Sequence, residues 1–388
     1  MKIVYFEMRK SWLKVSTTIF LLVFLGLNYF RLNDFCRSYY KTYGNFQEPY
    51  FRLYETVCGE ITNEKLEPFK IRVSELEAEI MTQTYSKDYD PERYIYTGYA
   101  HGDFSLYSLM ISPEISYAAT YSNTSNKIAA KAAESYSFYK EIGNNYESRK
   151  NAMIYNLYSN RGISEYRATN WANAYFFYDF SSLLCVILLI LGLSSSFTRE
   201  RESGMYQLLS AYGKTKSTVI SKVISSVVFC LILTVIFTVS DLIGVNHFLV
   251  IKNINMPLYS AEIFEFTPFN ITFTEALLVC AGMRFLGLFV IALLIMAISK
   301  ITPNTIAATV LSFAAVVVLI LLSLISNSLF NPIGLLTPKN YLENFGVVNL
   351  FGRPILEIYG AIICAVLLCF AFIAAIVLRR KTNAASRT

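Results

Sequence analysis

Six long apolar runs leave this chain few architectures. They lie at 15–31, 171–196, 219–245, 272–299, 305–326 and 355–378, and each approaches or exceeds the ~20 residues that carry a helix across ~30 Å of hydrocarbon. Inside hydrocarbon a segment must satisfy its own backbone N–H and C=O groups, which a helix does. The sequence therefore predicts an all-α polytopic membrane protein with six transmembrane helices. Composition agrees: 54% of residues are apolar and 16% charged, against about a quarter charged in soluble domains.

Charge sets the expected orientation. The net charge of +6 is carried by Lys2, Arg9, Lys10, Lys14, Arg199, Arg201, Lys214, Lys216, Lys222, Lys300, Arg379, Arg380, Lys381 and Arg387, all on one predicted side. On that side only Glu7, Glu200 and Glu202 oppose them. Basic residues in short loops mark the cytoplasmic face, so both termini are expected in the cytoplasm, and the excess is topogenic rather than a nucleic-acid surface. Residues 1–14 combine Ile3, Val4, Phe6 and Trp12 with basic residues, as an interfacial helix does. A cleaved signal peptide competes, but the first run ends without a small-residue cleavage site.

Residues 32–170 change character. They hold nineteen of the 28 tyrosines and are expected to form a mainly helical extracytoplasmic domain. One helix starts at Thr62 or Asn63, with Leu66, Phe69, Val73, Leu76 and Ile80 at spacings of three and four. Others are expected over 113–140 and 146–160, the last stopped by Gly162. Residues 327–354 mix apolar runs with Pro332, Pro338, Gly334, Gly346 and Gly352. Short helices dipping into the outer leaflet and an interfacial aromatic loop both fit that composition.

Chemistry is sparse. The only histidines are His101 and His247, and neither stands in an HExxH pattern. The Gly213–Thr215 triplet resembles the end of a phosphate loop, yet the required first glycine position is Leu208. The chain shows no means of binding ATP itself, no catalytic constellation and no metal spacing. Cys185, Cys230, Cys280, Cys364 and Cys369 lie in apolar runs as small packed residues, whereas Cys36 and Cys58 fall outside the membrane and are free to pair. Asp241, Glu275 and Arg284 lie within or near apolar runs, where a charge costs at least ~2.5 kcal/mol at mid-bilayer unless it faces protein or water. Either Arg284 lines a translocation path or pairs with Asp241, or these residues form a structural ion pair or snorkel from a span that starts later.

The cytoplasmic stretch 197–218 carries the most specific pattern. Met205, Leu208, Leu209 and Tyr212 recur at i, i+3, i+4 and i+7, one face of a short helix, and Gly213 supplies a stop. Glu200, Glu202 and Gly204, then the Leu208–Leu209 pair and basic Lys214, resemble the loop between the second and third spans of the ABC-2 family of ATP-binding-cassette permeases. Met205 and Ala211 depart from the Thr and Pro usual there. The layout is similar too: an interfacial N-terminal helix, a large outer domain after the first span, six spans and an irregular outer segment before the last.

That resemblance implies a permease subunit without catalysis of its own. Two permeases, identical or sister subunits, would work with two cytoplasmic ATPase subunits that bind ATP and Mg. The helix around Glu202–Tyr212 would be the coupling helix seated in an ATPase groove, with Glu200, Arg201 and Glu202 at the polar rim. The family's cargo implies export of a peptide or other amphiphile across a bacterial cell membrane. An ATPase-driven mechanical or sensory protein, acting on envelope partners through its outer domain, is the alternative.

Overall fold

A computed structural model describes residues 2–41, 46–82, 89–213, 215–326 and 328–377; Lys214 and the basic tail 379–388 lie outside them. Two helices open the chain, α1 (Lys2–Ser11) and α2 (Val15–Lys41). An inserted domain follows, beginning with α3 (Gln47–Val57), β1 (Gly59–Glu60) and α4 (Asn63–Met81). After α5 (Ala100–Phe104) a π-helical stretch, Ser105–Ile111, leads directly into α6 (Ser112–Glu141). Pro113, which has no N–H to donate, stands where the π-helical stretch gives way to α6. The Asn144 side chain accepts a 3.2 Å hydrogen bond from Glu147 N and starts α7 (Asn145–Tyr158).

The short link between α6 and α7 folds them into a helical hairpin. Then β2 (Glu165–Tyr166) pairs antiparallel with β1. Leu66, Phe69 and Leu76 of α4 enter a core with Tyr50, Leu53, Leu106, Ile111 and Ile115, while Val73 packs at its edge. The expected helical zones thus appear as α4, α6 and α7, with α7 ending at Tyr158 ahead of Gly162.

Six helical stretches are long and apolar enough to span a membrane. The second is broken. It consists of α8 (Asn170–Phe177) and α9 (Phe180–Leu193), with Tyr178 extended between them at ψ 111°. Two short helices, α10 (Thr198–Glu202) and α11 (Met205–Ala211), lead to α12 (Thr215–Leu249). Next come α13 (Phe273–Ile301) and α14 (Thr305–Ile325).

Residues between α14 and the last span form α15 (Ile333–Leu336), α16 (Lys339–Glu343) and a hairpin of β3 (Val347–Leu350) with β4 (Arg353–Leu356), before α17 (Glu357–Val377). Short helices form here, followed by a hairpin that weak strand alternation did not announce. α13 is central, with Leu288 and Val290 to Leu293 fully buried; a helix apolar on every face belongs inside a bundle. Trp171 and Phe176 of α8 pack on Phe273 of α13 and on Phe264 in the loop before it.

Candidate functional site

The stretch 197–213 ends at one face of the bundle, beside α1. Its helix α11 is followed by Gly213 (φ 68°) and preceded by Gly204 (φ 71°). Both glycines sit in the left-handed region that a side chain disfavours. Met205, Leu208 and Tyr212 are exposed, Tyr212 at 77%, and Leu209 is half-buried. The apolar face read from the sequence therefore lies uncovered in this chain.

Glu200, Arg201 and Glu202, expected at the rim of a partner, each also bond within the chain, with Glu200 buried and Glu202 exposed. Glu200 is buried and forms ion pairs with Lys10 at 2.6 Å and Lys222 at 2.8 Å. Lys222 also pairs with Glu7 at 2.7 Å and donates to Ser196 O at 2.7 Å. Glu7, Glu200 and Lys222 are each under 5% exposed. Two carboxylates and two ammonium groups thus tie α1, α10 and α12 together with no formal excess charge. Trp12 reinforces the joint by stacking on Phe229 at 4.7 Å and donating to Ser225 Oγ at 3.0 Å. Gly192 admits this stack, since a Cβ there would stand 2.8 Å from the Phe229 ring.

Arg201 and Glu202 clamp the opposite flank. The Arg201 guanidinium donates to the carbonyls of Ser299, Lys300 and Thr302. These are the orphan acceptors at the C-terminus of α13, where a positive charge also suits the helix dipole. The Glu202 carboxylate accepts from Thr305 N at 2.7 Å and Thr305 Oγ1 at 2.9 Å, at the N-terminus of α14. One acidic-basic-acidic triplet on α10, the helix just before α11, therefore bonds to α1, α12, α13 and α14.

Toward the opposite end of the bundle, Arg284 meets Asp241 at 3.2 Å, both buried. Asp241 also accepts from Ser181 Oγ at 2.7 Å and Asn28 Nδ2 at 2.8 Å, while Arg284 reaches Ser181 Oγ at 3.2 Å and Thr238 Oγ1 at 3.3 Å. Tyr178, at the α8–α9 break, donates toward the Asn28 backbone and side-chain oxygens at 3.0 and 2.8 Å. This fully bonded network crosses α2, α9, α12 and α13. Glu275 is not part of it. Its carboxylate caps its own helix, accepting from Thr272 N at 2.8 Å in a capping box, because it lies at the first turn of α13 and Arg284 about 13 Å further along at ~1.5 Å per residue.

The description ABC-2 family transporter protein belongs to the family whose profile matches residues 68–378. The chain belongs to that family. It is a multi-pass permease subunit of an ABC transporter, and membership implies association with an ABC ATPase. No curated protein and no solved structure gives a match. Among the described residues no cluster of His, Cys, Asp and Glu could hold a metal ion. Cys36 and Cys58 are both free thiols, so the pairing open to them from sequence is not made.

Sequence reasoning missed Glu7, Lys10 and Lys222 as site residues and treated them as topogenic charge. A signal was present. Three acidic residues stood alone among many basic ones on that side; two of them anchor the buried cluster and the third caps α14.

Proposed function

We propose that this permease exports a peptide or other amphipathic molecule, using ATP and Mg bound by two copies of a separate cytoplasmic ATPase, and that α11 is the coupling helix. Two permeases, identical or sister chains, form the membrane unit in a bacterial cell membrane with both termini in the cytoplasm. The observation that carries the reading is the contrast between α11 and its base. Met205, Leu208 and Tyr212 are exposed on a helix whose flanking Glu200, Arg201 and Glu202 are bonded to neighbouring helices. An exposed apolar helix face suits a groove on a partner, and a rigid base suits a lever.

Closure of the ATPase pair would push on α11. Through Arg201 and Glu202 the push reaches the turn between α13 and α14, and through Glu200 and Lys222 it reaches α1 and α12. The basic residues around the loop favour its cytoplasmic placement by the positive-inside rule, which puts the inserted domain outside. Five further spans after that domain provide walls for a path.

The test is ATP hydrolysis by the permease reconstituted with its cognate ATPase, across a panel of amphipathic peptides. Leu208→Asp with Leu209→Asp should abolish peptide stimulation while leaving the permease folded and the basal rate of the ATPase intact. Unchanged binding and stimulation in that variant would show α11 to be an ordinary loop.

A further inference from the structure

A small cleft lies beside the break in the second span. Its volume is about 60 Å³, below the ~300–1,000 Å³ of a whole small-molecule site, so it has room for a small head group and not for a whole ligand. Tyr175 and Phe177 of α8 form one wall, Ala281 and Arg284 of α13 another, and Leu336 and Lys339 of the α15–α16 elbow the third. At the break Tyr178 leaves the helical path and bonds Asn28.

The cleft has a charged interior at membrane depth. Arg284 lies about 17 Å along α13 from its start, by the ~1.5 Å rise per residue. Lys339 is half-buried, its ammonium 3.4 Å from the Phe177 ring centroid, and among the described residues no carboxylate lies within ion-pair distance of it. Arg284 is held by Asp241 through Nη1. Asp179 also borders the cleft and is exposed. The apolar side continues outward: Leu278, 70% exposed, shares a face of α13 with Ala281 one turn away.

We propose that this cleft binds the anionic head of an amphiphile, a phosphate or carboxylate, with Lys339 as its direct cation, Arg284 behind it, and the tail running along the Leu278 face. An anion supplies the charge that Lys339 lacks there. The aromatic rings of Tyr175 and Phe177 take the apolar neck, and Asp179 accommodates an ammonium carried beside the anion. The inference rests on the permease reading for its biological meaning; the binding itself needs no ATPase, so the two fail separately.

Two sources share this chemistry, a resident membrane phospholipid and the exported cargo. The probes are a fluorescent dodecyl phosphate and a dodecyl trimethylammonium with the same label, bound to the full-length permease in neutral detergent and read by anisotropy. The phosphate probe should bind about tenfold tighter than the cationic one, and Lys339→Gln should remove about that factor, as expected when one charge-assisted contact is lost. Ala281→Phe, which fills the cleft and spares both cations, should weaken both probes. Equal affinity for the two probes, or phosphate binding unchanged by Lys339→Gln, would overturn the proposal. With the ATPase present, release of the phosphate probe on ATP addition would identify the site with cargo; retention would identify it with a resident lipid. Either follows only if the site binds the anion.

Discussion

Removing the Lys222 ammonium tests the buried joint beneath the α10–α11 loop most directly. Its nitrogen lies 2.7 Å from Glu7 and 2.8 Å from Glu200, so those two carboxylate oxygens are at most about 5.5 Å apart, and their repulsion unmasked by the lysine amounts to about 3 kcal/mol at an effective dielectric of ~20. Each lost attraction is about 6 kcal/mol on the same scale, largely offset by the desolvation the ammonium no longer suffers. The net cost of removing one partner from a buried pair is typically about 3–5 kcal/mol. Lys222→Met should therefore destabilise the permease by that amount. Adding Glu7→Gln should recover most of it, because the Lys10–Glu200 pair at 2.6 Å then remains as a neutral couple. The assay is unfolding of the detergent-solubilised permease followed by thermal melting, wild type against the single and double variants. A single variant that melts like wild type, or a double variant no better than the single, would refute the reasoning that this cluster is a neutral, mutually dependent joint.

Two further outcomes are expected. In the inserted domain the Glu114 carboxyl is buried and accepts from Tyr50 at 2.7 Å and Tyr166 at 2.6 Å; burial, with Glu262 adding to it against the two tyrosines, pushes it up to about 7. Since the native state holds this proton more tightly than the unfolded chain, up to about 3 kcal/mol of stability present below pH ~4.5 should be lost as the pH rises to ~7, and melting of Glu114→Gln should lack that slope. Arg201→Ala removes the donors to the last carbonyls of α13 and should lower stability by about 1–2 kcal/mol. Arg201→Lys should rescue this only in part, because an ammonium cannot reproduce the planar fork, and the comparison is made on melting temperature and peptide-stimulated ATP hydrolysis together.

Local information was written plainly in the chain. Hydropathy located the six membrane-crossing stretches, since a helix in hydrocarbon needs a continuous apolar run of fixed length. Periodicity and capping residues placed α4, α6 and α7, and Gly213 announced where α11 ends, whereas the helix expected from about Glu202 begins only at Met205, after Gly204 in the left-handed region. The Glu200, Glu202, Gly204 and Leu208–Leu209 pattern pointed to the family that the profile match shows. All of these depend on neighbours within a few residues.

Side-chain partnerships across the bundle were decided only by the tertiary structure. Glu7 meets Lys222 and Lys10 meets Glu200 across separations of 215 and 190 residues, and an apolar run says that a helix crosses the membrane without saying which face meets which neighbour. The same limit explains the ionisable residues at depth. Sequence left open whether Arg284 pairs with Asp241 or lines a path; the packing of α12 against α13 brought Arg284 to Asp241, while Glu275, at the first turn of α13, caps its own helix. It also hid the α8–α9 break, because Tyr178 and Asp179 lie within an otherwise helical pattern. Tyr178 leaves the helix to reach Asn28, a partner that exists only once α2 has packed beside it.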